Sequence, residues 1–428
     1  MIFDKINIKT EIDYNKFPLP KMNKVRQKFD ETCILNVKEE INKQLKKVQK
    51  YDLNNKKIGI TVGSRGIAGF NIILKELGAF LKRKGAKPVL IPSMGSHGGA
   101  TVKGQLEVLA GYGITEKALA MPIEASMETE IIGYTKSKVP IHYDKIALGC
   151  DGVIVINKIK PHADFKADYE SGIVKMMVIG LGKHNGALAV HKNGFENFKS
   201  ILPEAGEIII NNANILFSIG IVENAYNKPC IIELIEKENI MAREKALLKI
   251  AKEKIAKINL KTIDLLIIDE IGKDISGEGM DPNVTGRPGS YLNEGFNAPD
   301  IQKIFIRDIT DVSHGNGVGI GMADFTVKSL VNKLDLGAMY TNALTATILG
   351  PAKLPLVMKN DRQAISIALV SCNNINQLEP RIVRIKNTLE LDDIYVSDKL
   401  ITDVKKSDDL MIIEKDILMK FDKNNNLL

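Results

Sequence analysis

Four of the chain's six histidines stand among clustered glycines: one in Ser93-Met-Gly-Ser-His97-Gly-Gly-Ala-Thr101, and three in the run from Lys160-Pro-His162 through Lys175 and His184 to His191. Imidazole titrates nearest to neutral pH and is the commonest metal ligand, so this concentration points to proton transfer or metal binding. Arg65, framed as Gly63-Ser64-Arg65-Gly66, has the planar fork that grips a carboxylate or phosphate with two bonds. Lys175 is a lone charge inside Gly172-Ile-Val-Lys-Met-Met-Val-Ile-Gly180. There a cation is costly unless it is paired or chemically modified.

A plainer reading stands beside each candidate. Arg65 can be a surface arginine in a turn. Ser96-His97-Gly98-Gly99 can expose backbone amides to a phosphate at a helix start, or be a turn that needs glycine for positive φ. Lys175 can lay its stem on apolar surface and keep its amine in water. His184 and His191, seven positions apart, share a face if their segment is helical, but that spacing specifies no metal. His142 and His314 lack such company and read as ordinary polar residues.

The elements that must position these groups are legible from periodicity. Lys57-Ile-Gly-Ile-Thr61 reads as a strand, followed by the Arg65 loop and a helix whose apolar face is Phe70, Ile73, Leu74, Leu77, Phe80 and Leu81. Pro88-Val-Leu-Ile91 is the next strand, followed by the His97 loop and a helix from Val102 to Ala110 with Thr101 as its N-cap. Asp151-Gly-Val-Ile-Val-Ile156 is a third strand, leading to the loop of His162. Alternation of this kind predicts an α/β fold with mainly parallel sheets, whose functional groups gather at the strand C-termini. A helical run from Met241 to Ile258, apolar along Leu247, Leu248 and Ile250, closes the first domain, predicted as residues 1–258. A second α/β domain, 259–428, opens with the strand Ile263–Ile268 and a long polar loop to Gly289 that faces a cofactor and substrate cleft between the domains. Further strands are predicted at 304–306 and 382–385, helices at 324–334 and 361–369, and a frayed tail at 422–428.

Composition excludes other classes. At 428 residues the chain is longer than a single core usually serves. The net charge of +7 comes from scattered lysines rather than a basic stripe interleaved with aromatics, which argues against nucleic-acid binding. No apolar run approaches the roughly 20 residues of a membrane span, and no signal-peptide core follows the N-terminus, so a cytoplasmic protein is expected. The four cysteines form no Cys-x-x-Cys pair and read as free thiols.

Taken in order, the Arg65 turn, the His97 loop, Lys160-Pro-His162, Ser171-Gly-x-x-Lys175 and His191 resemble the nickel-pincer-nucleotide lactate racemase family of 2-hydroxyacid racemases and epimerases. The resemblance covers most of the N-terminal domain. It implies that Lys175 carries a pyridinium thioamide/thioacid mononucleotide, and that nickel is held by that cofactor's sulfur and carbon donors plus His191. It implies His97 and His162 as the acid/base pair and Arg65 as the grip on the substrate carboxylate. Ser64, Gly98 and Gly99 would face the nucleotide, His184 is a reserve for proton transfer, and cofactor-maturation enzymes are the implied partners. The chain departs from the lactate-specific members at Val62, where they carry an acidic residue, and in the second domain, where Met280-Asp-Pro-Asn-Val-Thr-Gly-Arg287 replaces their glutamine and lysine. The departures point to a substrate other than lactate, contacted by Arg287 with Asp281 or Asn283. Two other readings stay open: a conventional metal-dependent hydrolase or lyase using the same histidines, and a non-catalytic nucleotide- or hydroxyacid-binding protein.

Overall fold

The computed structural model describes residue 8, residues 13–64 and residues 66–428. The chain divides into two compact units, one running from Asp30 to Ile255, the other made of Ala256–Leu428 and the first 29 residues. The sequence suggests domains of 1–258 and 259–428, whereas the first 29 residues belong with Ala256–Leu428. Strand β1 (Met22–Gln27) pairs antiparallel with two strands from the far end of the chain, which is what draws it into the second unit.

The 30–255 unit is built on β2 (Lys57–Val62), β3 (Lys87–Pro92), a hairpin of β4 (Thr129–Tyr134) and β5 (Pro140–Asp144), β6 (Gly152–Lys158), β7 (Ile215–Glu223) and β8 (Pro229–Glu236). Its main sheet has the order β3-β2-β6-β7-β8, parallel except for β8. β2 and β6 are buried nearly throughout, as near-continuous aliphatic runs between helical layers should be. The Phe70–Arg83 helix buries Phe70, Ile73, Leu74, Leu77, Phe80 and Leu81, the predicted face, and ends at Gly85 with φ +75°. Thr101 caps the Val102–Gly111 helix by accepting from the Gly104 amide at 3.0 Å.

The other unit adds β9 (Thr262–Ile271), β10 (Asp300–Ile309), β11 (Phe325–Val327), β12 (Leu356–Met358), β13 (Ile382–Ile385), β14 (Asp393–Ser397) and β15 (Leu410–Ile417). Its eight-stranded sheet has the order β12-β11-β10-β9-β13-β14-β1-β15, parallel from β12 to β13. Both units are therefore α/β with mainly parallel sheets. The span 324–334, expected to be helical, begins instead with strand β11, because Phe325 and Thr326 pair with β10 on one side and β12 on the other. The tail expected to fray is anchored. Leu427 is buried, its amide donates to Asp361 Oδ2 at 2.8 Å, and its carbonyl accepts from Arg307. No helix among the described residues is long and apolar enough to cross a membrane.

Candidate functional site

Three loops leave the C-terminal ends of the parallel strands β2, β3 and β6 and carry Ser64, His97 and His162. They are organised around the segment that bears Lys175. That segment is one α-turn, Ile173–Lys175, running into a π-turn, Met176–Gly180, in which the Leu181 amide reaches back to the Met176 carbonyl at 2.9 Å. π-turns are rare and recur at functional sites. The turn is clamped from two elements. Asn157 at the end of β6 donates to the Gly172 carbonyl at 2.7 Å, and Glu244 of the Ile240–Lys254 helix accepts the Val174 amide at 2.7 Å. A Cβ on Gly172 would stand 2.3 Å from Glu244 Oε1, so glycine is what lets the carboxyl approach.

His162 Nε2 meets the Lys175 amine directly. The Asp164 amide donates to His162 Nδ1 at 3.0 Å, so one ring nitrogen is held by the loop's own backbone and the other faces Lys175. Burial first, then the charges of Lys175, Lys166 and Lys160, hold this imidazole well below its ordinary pKa. His191 closes the Lys183–His191 helix, and its Nδ1–H donates to the Ala187 carbonyl at 2.6 Å, which makes Nε2 the lone-pair nitrogen of the neutral ring. Burial lowers its pKa also. The two imidazoles share an aromatic wall. Phe195 lies 5.7 Å from His162 and 5.5 Å from His191 between ring centroids, with Phe165 against His162 and Phe198 against His191. Lys175, His162 and His191 thus belong to one cluster, and the charge of Lys175 depresses both rings.

Below them Glu170, wholly buried, organises the His162 loop. It accepts the amides of His162 (2.7 Å) and Ala167 (3.0 Å) and pairs with Lys252 at 2.6 Å and Lys166 at 3.4 Å.

His97 Nδ1 lies 2.5 Å from Ser64 Oγ, which joins the first two loops, and the Ser64 carbonyl is held by the Tyr112 hydroxyl at 3.2 Å. Gly98 and Gly99 both take left-handed φ, +66° and +63°. A Cβ on Gly98 would meet Gly104 carbonyl carbon at 2.5 Å, so this glycine serves the packing of its loop on the next helix, whereas around Gly99 the space is open. Arg65 lies outside the described residues.

Two candidates stand apart. His184 is exposed at the start of its helix, although it shares that helix with His191. Arg287, in the other unit, has its guanidinium engaged: Nη1 donates to Asp324 (2.7 Å) and the Met322 carbonyl (3.2 Å), and Nη2 to the carbonyls of Gln302 (2.9 Å) and Ile301 (3.2 Å). This is a brace between β10 and the loop before β11, and contact with a substrate would have to displace it. Asp281 caps the short Pro282–Thr285 helix by accepting the Asn283 amide. Among the described residues no three His, Cys, Asp or Glu side chains are grouped to hold a metal by themselves.

Sequence reasoning missed Glu170, Glu244 and Asn157. A signal existed for Glu244, which precedes Leu247 and Leu248 by three and four positions and so falls on the buried stripe of its helix.

No family model matches the chain, and no curated protein matches it. Among solved structures it is similar to a protein from Thermotoga maritima, with 13% identity and a TM-score of 0.49 over 79% of this chain and 84% of that one. It is similar also to the lactate racemase apoprotein from Thermoanaerobacterium thermosaccharolyticum, with 16% identity and a TM-score of 0.48 over 85% of this chain and 83% of that one.

Proposed function

We propose that this chain is a racemase or epimerase that inverts C2 of a 2-hydroxyacid, with a nickel-pincer nucleotide tethered at Lys175. The observation that carries the reading is the single cluster of Lys175, His162 and His191 inside an aromatic wall. The donor set fits the group. His191 presents one Nε2 lone pair, which is what a metal already held by sulfur and carbon donors asks of the protein. Lys175, clamped by Glu244 and Asn157, offers the amine for the tether. When bound, the pyridinium supplies a hydride acceptor, which no side chain can provide.

The chain's own groups do the rest. His162 and His97 exchange the substrate's hydroxyl proton, one for each enantiomer, as imidazoles able to act as either acid or base. Burial holds His162 neutral, the form in which an imidazole can take up a proton. Ser64 fixes the ring of His97. Arg65 is assigned the carboxylate, and Ser64 with the open backbone at Gly99 the nucleotide. Phe165, Phe195 and Phe198 keep water from the His162 and His191 side. His184, exposed, takes no part. The proposal of a substrate other than lactate rests on Val62, because Arg287 is committed as a brace.

The test is intact and peptide mass spectrometry with nickel analysis on protein produced together with cofactor-maturation enzymes. The expected result is a nickel-associated nucleotide adduct on Lys175, lost in Lys175→Ala, and inversion of a chiral 2-hydroxyacid without net hydrolysis. An unmodified Lys175 in protein exposed to competent maturation enzymes overturns the reading.

A further inference from the structure

Lys183 combines two features that each disfavour lysine. Its side chain is 0% exposed, and its backbone is left-handed, with φ +53°. Glycine or asparagine would suit that backbone, and an aliphatic side chain would suit that burial. The contacts of its ammonium show what the lysine does there. It pairs with Asp144 Oδ2 at 2.7 Å, inside the unit, and it donates to the backbone carbonyl of Pro92. Asp144 is fixed in turn, since its Oδ1 caps the amides of Ile146 (2.6 Å) and Ala147 (3.0 Å).

Pro92 is the last residue of β3, and the chain runs from it through Ser93 and Gly95 to His97. Lys183 is the first residue of the helix that ends in His191. The same two segments touch again at the backbone. The Gly95 amide donates to the Gly180 carbonyl at 3.3 Å, and a Cβ on Gly180 would stand 2.7 Å from the Ser93 carbonyl oxygen.

We propose that this joint, Pro92–Gly95 against Gly180–Lys183 and closed by the buried Lys183–Asp144 pair, makes Lys183 a positioning residue that sets His97 relative to the helix of His191 and the turn of Lys175. Its functional part rests on the racemase reading above, while its structural part does not. A bond from a side chain fixed at both ends to the carbonyl at a strand's end removes the freedom that a glycine-rich loop otherwise has. The acid/base ring then shares one rigid frame with the residues that hold the cofactor.

The test uses the full chain. Lys183→Met alone would strand a buried carboxylate, so the informative variant is Lys183→Met with Asp144→Asn, which removes both charges and keeps the cap on Ile146 and Ala147. The expected result in cofactor-free protein is amide exchange raised at least tenfold across residues 93–100, with the Phe70–Arg83 helix unchanged. In loaded protein, adduct formation at Lys175 persists, kcat falls at least tenfold and KM moves less than threefold. Gly180→Ala opens the same joint from its other side and supplies the answer if the double variant does not fold. Exchange at 93–100 equal to wild type in a folded variant overturns the proposal. Failure of the wild-type chain to load a cofactor would count against the function and leave the exchange result standing.

Discussion

Glu244 is a carboxyl with 1% exposure whose pKa burial pushes up to about 8, against the pull of the Val174 and Ile173 amides. Between its ordinary value near 4.5 and about 8, the folded chain holds a proton that the unfolded chain releases, so this group's contribution to stability falls as pH rises through that window. Glu244→Gln keeps an acceptor for the amides and removes the titration. Urea midpoints should match wild type near pH 5 and exceed it near pH 9, the difference growing by roughly 1.4 kcal/mol per pH unit at most. His162 carries the opposite sign. Held neutral well below 6.5, it binds its proton only in the unfolded chain, so stability falls as pH drops below 6.5, and His162→Gln should flatten that acid limb. At this scale the sequence shows which residue types can do chemistry but not which carboxylates hold them. Lys175 was conspicuous as a charge in an apolar run. Glu170 and Lys183 were not, because a buried ion pair far apart in sequence looks the same as two solvated charges until the chain folds.

Elements were legible where local pattern and tertiary demand agree. The Phe70–Arg83 helix and the strands β2, β3, β6 and β13 have a periodicity or an aliphatic run that matches their burial. Where the demand is non-local the pattern misleads. β11 is three residues long and exists because it is sandwiched between two partners, and the 422–428 segment is polar yet anchored through Leu427. Arg287 belongs here too, as a loop arginine whose carbonyl partners no motif announces. Arg287→Ala should destabilise the chain by about 2–4 kcal/mol, since it leaves Asp324 and three carbonyls short of a donor. The measurement is a denaturant midpoint, and an unchanged midpoint would return Arg287 to the list of residues free to meet a ligand.

The whole molecule is a unit of residues 30–255 inserted between the first strand and the remainder of another. β1 is an interior strand of the eight-stranded sheet, with β14 on one side and β15 on the other. A fragment of residues 259–428, the domain its sequence suggests, lacks that strand. It should show no cooperative thermal transition, and adding a peptide spanning residues 13–29 should restore one. Residues 30–255 alone should unfold cooperatively, because their sheet and core are complete without the rest. The same topology fixes a schedule for biosynthesis. β1 leaves the ribosome ahead of the whole 30–255 unit, and its second neighbour, β15, follows only after that unit and most of the other one. At about 5–20 residues per second, Met22 and Val25 wait some tens of seconds for the partners that will bury them, while the inserted unit has time to fold in between. The nascent chain therefore carries an unpaired strand while everything between β1 and β14 is made, and that interval exposes it to mispairing with other chains and to capture by chaperones.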